Sequence, residues 1–346
     1  MEERRENIMG TQPINRLLPS MAFPIMLSML VQALYNVVDS IFVSHVSESA
    51  LTAVSLAFSL QNVMIAVGVG TGVGVNALLS KSLGEKNQER ANKTAENGIF
   101  LSLCSYAVFL VIGLTCMKPY FYAQTSDMDI ARQGIQYLQL CCVLSLGLFT
   151  QTMGEKLLAA TGRTHLSMIS QLVGAVVNIV LDPIFIFPCG WGMMGAAIAT
   201  VIGQILSAVL AAAYLLHMKA VRLQRGSFRL RGELLRAFLP LGMTSFLSQI
   251  SIVFSMAAVL NMCRKYGALD PVFGQAQYAQ IPTAVVGIVM KFFQIVISIA
   301  IGLSAGCIPV VGYNIGAGRR DRARALLHRL MLAEAVVGLV ATALFE

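Results

Sequence analysis

From Leu51 to Ser80 the chain runs without a single Asp, Glu, Lys or Arg. That stretch excludes most folds open to a chain of this length. A helix at a water-facing surface needs a polar side along its whole length, whereas a helix crossing a bilayer needs about 20 mostly apolar residues. The same demand is met in nine blocks, roughly Phe23–Val43, Leu51–Leu79, Gly98–Met117, Gln133–Gly154, Leu166–Phe187, Met193–Leu216, Ala237–Cys263, Ala276–Tyr313 and Leu326–Phe345. A soluble bundle would need amphipathic helices to cover its core, and with 12% charged and 56% apolar residues the polar material is missing. The expected fold class is an all-α polytopic membrane protein.

The formal net charge of +8 invites a nucleic-acid reading, so the placement of the charges decides. Lys and Arg alternate between the connections. They are dense at Arg4–Arg16, Lys81–Lys93, Lys156–Arg163, Lys219–Arg236 and Arg319–Arg329, and sparse or absent at His45–Ala50, Lys118–Arg132, Pro188–Gly192 and Arg264–Lys265. Twenty basic residues fall on one side and four on the other, with Lys291 inside a span. This is the positive-inside pattern of a multi-pass protein with a cytoplasmic N-terminus, and no nucleic-acid partner is expected.

The first twenty residues mix acidic and basic side chains and offer no small-residue cleavage site, so no signal peptide is read there. The seven cysteines lie in or beside apolar spans without CxxC spacing and serve as small hydrophobes. Gly68, Gly70, Gly72 and Gly74 fall mid-span with no strand before them, which fits close helix packing or a flexible bend rather than a dinucleotide fingerprint. No HExxH or GxSxG motif occurs and the four histidines are scattered. The chain is not expected to be an enzyme or to hold a cofactor.

Two stretches repeat. "AFPIMLSMLVQ" (Ala22–Gln32) is similar to "FLPLGMTSFLS" (Phe238–Ser248), with Pro24 opposite Pro240. "GTGVG" followed by "SLGEKNQERA" lies over "GLSAG" followed by "NIGAGRRDRA", pairing Gly70 with Gly302, Gly74 with Gly306, Gly84 with Gly316 and Arg90 with Arg322. Internal repeats mark secondary transporters, whose sites lie near the repeat interface. The domain reading is a first lobe over 1–218 with spans one to six, a cytoplasmic linker over 219–232, and a second lobe over 233–346 with spans seven to nine. Since the first lobe holds six spans, the repeats are parallel, and the second lobe holds three of its expected six.

Polar side chains inside lipid are costly and are functional candidates by default. On span one Gln32, Tyr35, Asn36 and Asp39 form one stripe at three- and four-residue spacing, and on span five Gln171, Gly174, Asn178 and Asp182 do the same. Thr200, Gln204 and Ser207 repeat the spacing on span six. At about 1.5 Å per residue, Asp39, Asp182 and Thr200 reach one layer toward the outer side. Two carboxylates, an amide and a hydroxyl suit a hard cation such as Na⁺ or a shared proton. Pro183 is expected to push Asp182 out of helical geometry and free backbone carbonyls. In the second lobe Lys291, Gln294 and Ser298 share a face, and Lys291 and Gln294 join the substrate-pathway candidates.

These residues resemble the multidrug and toxic compound extrusion (MATE) family, in its bacterial branch. The most specific stretches are "LYNVVDSIFVSHV" (Leu34–Val46), "NIVLDPIFIFPCGWGMMGAAIAT" (Asn178–Thr200) and "GLSAGCIPVVGYNIGAGRRDRA" (Gly302–Ala323). The resemblance implies a two-lobe helical bundle, twelve helices in full, that exports cationic or amphipathic compounds across the inner membrane on an H⁺ or Na⁺ gradient as a monomer. One branch of the family builds its cation site in the first lobe, at motif positions that fall on Asp39, Asn178, Asp182 and Thr200. Another branch uses acids of the second lobe, where this chain offers no mid-span acid in span seven. Two alternatives stand beside antiport: a flippase for lipid-linked saccharides, which would need several basic groups in its cavity, and a truncated remnant that does not transport.

Overall fold

The computed structural model describes residues 7–44, 47–125, 127–217, 231–270, 275 and 281–345. They form twelve helices: α1 (Ile8–Thr11), α2 (Ile14–Ser44), α3 (Glu48–Gly84), α4 (Gln88–Thr115), α5 (Met117–Gln124), α6 (Met128–Val143), α7 (Leu146–Ala160), α8 (Thr164–Ile186), α9 (Gly192–Leu216), α10 (Gly232–Gly267), α11 (Ile281–Gly316) and α12 (Arg320–Phe345). Among the described residues eight are long and apolar enough to cross a membrane, and the bent pair α6–α7 makes a ninth when taken as one span. The linker over 219–232 lies almost wholly outside the described residues.

Local chemistry sets the ends. Ser47, Asn87 and Asp127 cap α3, α4 and α6, each side-chain oxygen accepting from a backbone N–H of the first turn. Gly318, at φ 74°, reverses the chain after α11, a conformation that suits a residue without Cβ. The fourth span, expected to be continuous, bends by 47° between α6 and α7. Neither proline nor glycine sits at the break. The Ser145 hydroxyl donates to the Cys142 carbonyl at 2.7 Å, competing with the helix ladder at the break.

Polarity is inverted relative to a soluble bundle. On α8 the buried face carries Gln171, Gly174, Asn178 and Asp182, while Val176, Val180 and Ile184 point outward and are exposed. Such a helix is at rest only where the surroundings are apolar.

The first six spans meet the last three through reciprocal glycine contacts. A Cβ on Gly84 would lie 2.0 Å from the Tyr313 carbonyl oxygen, and one on Gly316 would lie 2.1 Å from that of Lys81. Gly74 approaches Phe238 as Gly306 approaches Ala22, and Gly70 approaches Gly242 as Gly302 approaches Met26. Each member of these contacts maps onto its counterpart in the repeat register. The run Gly68–Gly74 is therefore a packing surface: Gly70 and Gly74 admit α10, and Gly72 admits the stem of Lys156. Outward of Gly242 on α10 and of Ser298 on α11, no described residue is buried, so the tight contact is confined to the side carrying the basic connections.

That basic side is also tied by α1. Asn7 donates to the Thr161 carbonyl (3.1 Å), Asn314 to that of Met9 (3.0 Å) and Arg319 to that of Gly10 (2.5 Å), while Arg322 bonds the Gln12 carbonyl. Met9 is fully buried with Leu17, Val310, Tyr313 and Leu326.

Candidate functional site

Asp39 sits near the far end of α2, Asn178 and Asp182 one turn apart on α8, and Thr200 two turns into α9. Asn178 lies 14 residues from the basic end of α8, about 21 Å, and Thr200 lies 16 residues from that of α9, about 24 Å. Equal depth brings them together. Asn178 Nδ2 donates to Asp182 Oδ1 (3.2 Å) and to Thr200 Oγ1 (3.1 Å), and the Asp182 carboxyl is within hydrogen-bonding reach of that of Asp39. Close backbone approach makes this possible: Gly174 and Gly203 face each other across α8 and α9, each leaving no room for a Cβ.

All four residues predicted for the coupling site are thus in one connected cluster. Asp182 is fully buried and Asn178 is 3% exposed. One oxygen each of Asp39, Asn178 and Asp182 is buried without a hydrogen-bond partner. Orphaned acceptors in a buried site are costly, and two adjacent carboxylates need positive charge between them. Three unpartnered oxygens in one connected cluster, with a hydroxyl beside them, fit a hard monovalent cation or a proton. Among the described residues, no group of three or more His, Cys, Asp or Glu suits a metal ion of the transition series.

Below this cluster runs a polar path. Gln171 Nε2 donates to Gln32 Oε1 at 3.1 Å, joining α8 to α2, and Tyr35 lies within reach of Gln32 and within electrostatic reach of both Asp39 and Asp182. Asn36 is exposed and Gln204 half-buried. Ser207 departs from the expectation. It is fully buried and donates to the Ser170 carbonyl at 2.7 Å, so it fastens α9 to α8 instead of lining a pathway. Pro183 departs too. Asp182 stays inside α8, which continues to Ile186, so the missing proline N–H deprives Ile179 of a helix bond without unwinding Asp182. Gln294 is exposed on α11, and the side chain of Lys291 lies outside the described residues.

Two further acids, absent from the sequence candidates, are held inside the helices. Glu155 on α7 is 7% exposed and accepts from Gln151 Nε2 at 2.9 Å. It reads in sequence as a connection charge because Lys156 follows it, yet Gln151 one turn earlier is the signal of a buried polar stripe. Glu334, mid-way along α12, accepts a hydrogen bond from Ser304.

A sequence model of the MatE family matches residues 24–184 and 245–345, which includes Asp39, Asn178 and Asp182. The chain belongs to the MatE family. Among curated proteins it is 24% identical over 322 residues to the FAD transporter of Shewanella oneidensis, covering 91% of this chain and 68% of that protein. It is 22% identical over 309 residues to the multidrug export protein MepA of Staphylococcus aureus, covering 89% of this chain and 66% of MepA. The MatE chain spans about two thirds of the length of these relatives. In fold it is similar to a multidrug resistance MATE transporter of the MOP superfamily solved in an outward-facing conformation, with a TM-score of 0.89 and 23% identity over 98% of this chain and 73% of that one. The fold is that of an all-α, multi-pass membrane transporter family.

Proposed function

We propose that this MatE chain carries the coupling site of a cation-driven antiporter, with H⁺ or Na⁺ held between Asp39 and Asp182 and assisted by Asn178 and Thr200. The observation that carries the reading is the convergence of three unpartnered buried oxygens on one buried cluster. A cation there neutralises the facing carboxylates and draws the far end of α2 against α8. Its release leaves them repelling, and α2 is the element able to answer, since it has no described buried residue beyond Ala33. Movement of α2 against α8 and α11 would change which side of the membrane reaches the space between the two groups of spans.

On this reading the basic side is cytoplasmic, the membrane is the bacterial inner membrane and the exported compounds are small, amphipathic or cationic. The test is flux from proteoliposomes containing the purified chain, loaded with ethidium or with FAD, under an imposed Na⁺ or pH gradient. Gradient-dependent ethidium efflux is expected, falling below about a tenth in Asp39→Asn and in Asp182→Asn at matched reconstitution. Efflux of neither compound under either gradient overturns antiport by this chain. Unchanged flux in both variants overturns the site, and FAD efflux without ethidium efflux overturns the substrate class.

A further inference from the structure

Glu155 is a buried carboxylate that the Asp39–Asp182 pair does not explain. It lies five residues, about 8 Å, from the basic end of α7. Asp182 lies 18 residues, about 27 Å, from the same end of α8. Gln171, seven residues or about 10 Å from that end, shares the level of Glu155 and bonds Gln32. Tyr35 lies between the two levels: it is within reach of Gln32 and within electrostatic reach of Asp39 and Asp182 and also of Glu155.

Among the described residues Glu155 has no direct ion-pair partner, although Lys156 beside it acts on it through space. Lys156, itself 7% exposed, packs its stem against Gly72 of α3, and among the described residues neither Glu155 nor Lys156 forms an ion pair. The titratable groups that act on Glu155 are Lys156 on its own helix and Tyr35 on α2. Gln151 gives its amide N–H to the carboxylate, which leaves Gln151 Oε1 buried and without a hydrogen-bond partner. The buried Glu155 carboxylate and the orphaned Gln151 amide oxygen, one turn apart on α7, are oxygen ligands of the kind a small hard cation takes.

We propose that Glu155, with Gln151 and Tyr35, forms a second cation-binding station on the path between the Asp39–Asp182 pair and the basic side, taking the same class of small cation, H⁺ or Na⁺. The proposal rests on the reading of that pair as the coupling site. Between the pair and the basic side the oxygen-bearing groups in order of depth are Tyr35, the Gln32–Gln171 bridge and the Glu155 carboxylate.

The test is isotope-edited infrared difference spectroscopy on the purified chain in lipid, labelled with carboxyl-¹³C glutamate in one sample and aspartate in another. The probes are protons and Na⁺ alone. Expected is a glutamate carboxyl band that changes with pH and on adding Na⁺, is lost in Glu155→Gln, persists in Asp39→Asn and Asp182→Asn, and shifts in Gln151→Leu as its hydrogen bond is removed. The labelled unmodified chain and Gln151→Leu keep the test decisive if Glu155→Gln fails to fold. A glutamate difference spectrum that is the same in the unmodified chain and in Glu155→Gln, for both probes, overturns the proposal. Silent aspartate bands beside a responding Glu155 band would instead overturn the reading of the Asp39–Asp182 pair.

Discussion

Asn178 spends both amide hydrogens on neighbours, one on Asp182 and one on Thr200, so its own oxygen is left pointing into the cluster with nothing to accept from. The consequence is testable at Thr200. Thr200→Val preserves shape and removes one acceptor, leaving one Asn178 N–H buried without a partner, so fold stability should fall by about 1–3 kcal/mol. The cluster loses a cation ligand at the same time. The Na⁺- or proton-induced rise in thermal unfolding midpoint should therefore demand about ten times more cation than in the unmodified chain. The quartet was legible in sequence because polar residues four apart on an apolar span must share a face, and because span lengths fix depth. Glu155 was not, since an acid followed by a lysine near the end of a span has the local appearance of a loop. Pro183 misled for a different reason: the pre-proline preference for extended geometry is outweighed when the helix has only one more turn to run and its flanks are packed.

Helices meet where glycines let them, and the repeated glycines could be paired in sequence before any contact was known. Gly84 and Gly316 each lie against a backbone carbonyl of the opposite helix, so Gly84→Ala or Gly316→Ala should lower stability by about 1–3 kcal/mol through overpacking. Once either alanine has forced α3 and α11 apart, the second meets less resistance. The double variant should fall short of the sum by about 1 kcal/mol in thermal unfolding, whereas Gly338→Ala on α12, with open space around it, should be neutral or slightly stabilising. The bend between α6 and α7 carried no such signature. Its Ser145–Cys142 bond uses a residue common in membrane helices, and only the three-dimensional course of the chain distinguishes a kinking serine from a silent one.

At the scale of the molecule, the basic connections are brought to one side by contacts as well as by the alternation of charge: Asn7 reaches Thr161, and the backbone N–H of Arg231 donates to Asn97. In intact cells, in a background without the native cysteines, Pro188→Cys should be labelled several-fold faster by a membrane-impermeant maleimide than Ala317→Cys. Equal labelling would refute a common cytoplasmic side for the basic turns. The α1 strap has a consequence in time. Its partner carbonyls and side chains are separated by 305 to 310 positions in sequence. At about 5–20 residues per second, a ribosome takes roughly 15–60 s to make Asn314 after Met9 has emerged. Throughout that interval the buried seat of Met9 does not exist, because Val310, Tyr313 and Leu326 are still to be synthesised. The bonds from Asn314, Arg319 and Arg322 to α1 and Gln12 are therefore among the last contacts to form, well after Asn7 can reach Thr161.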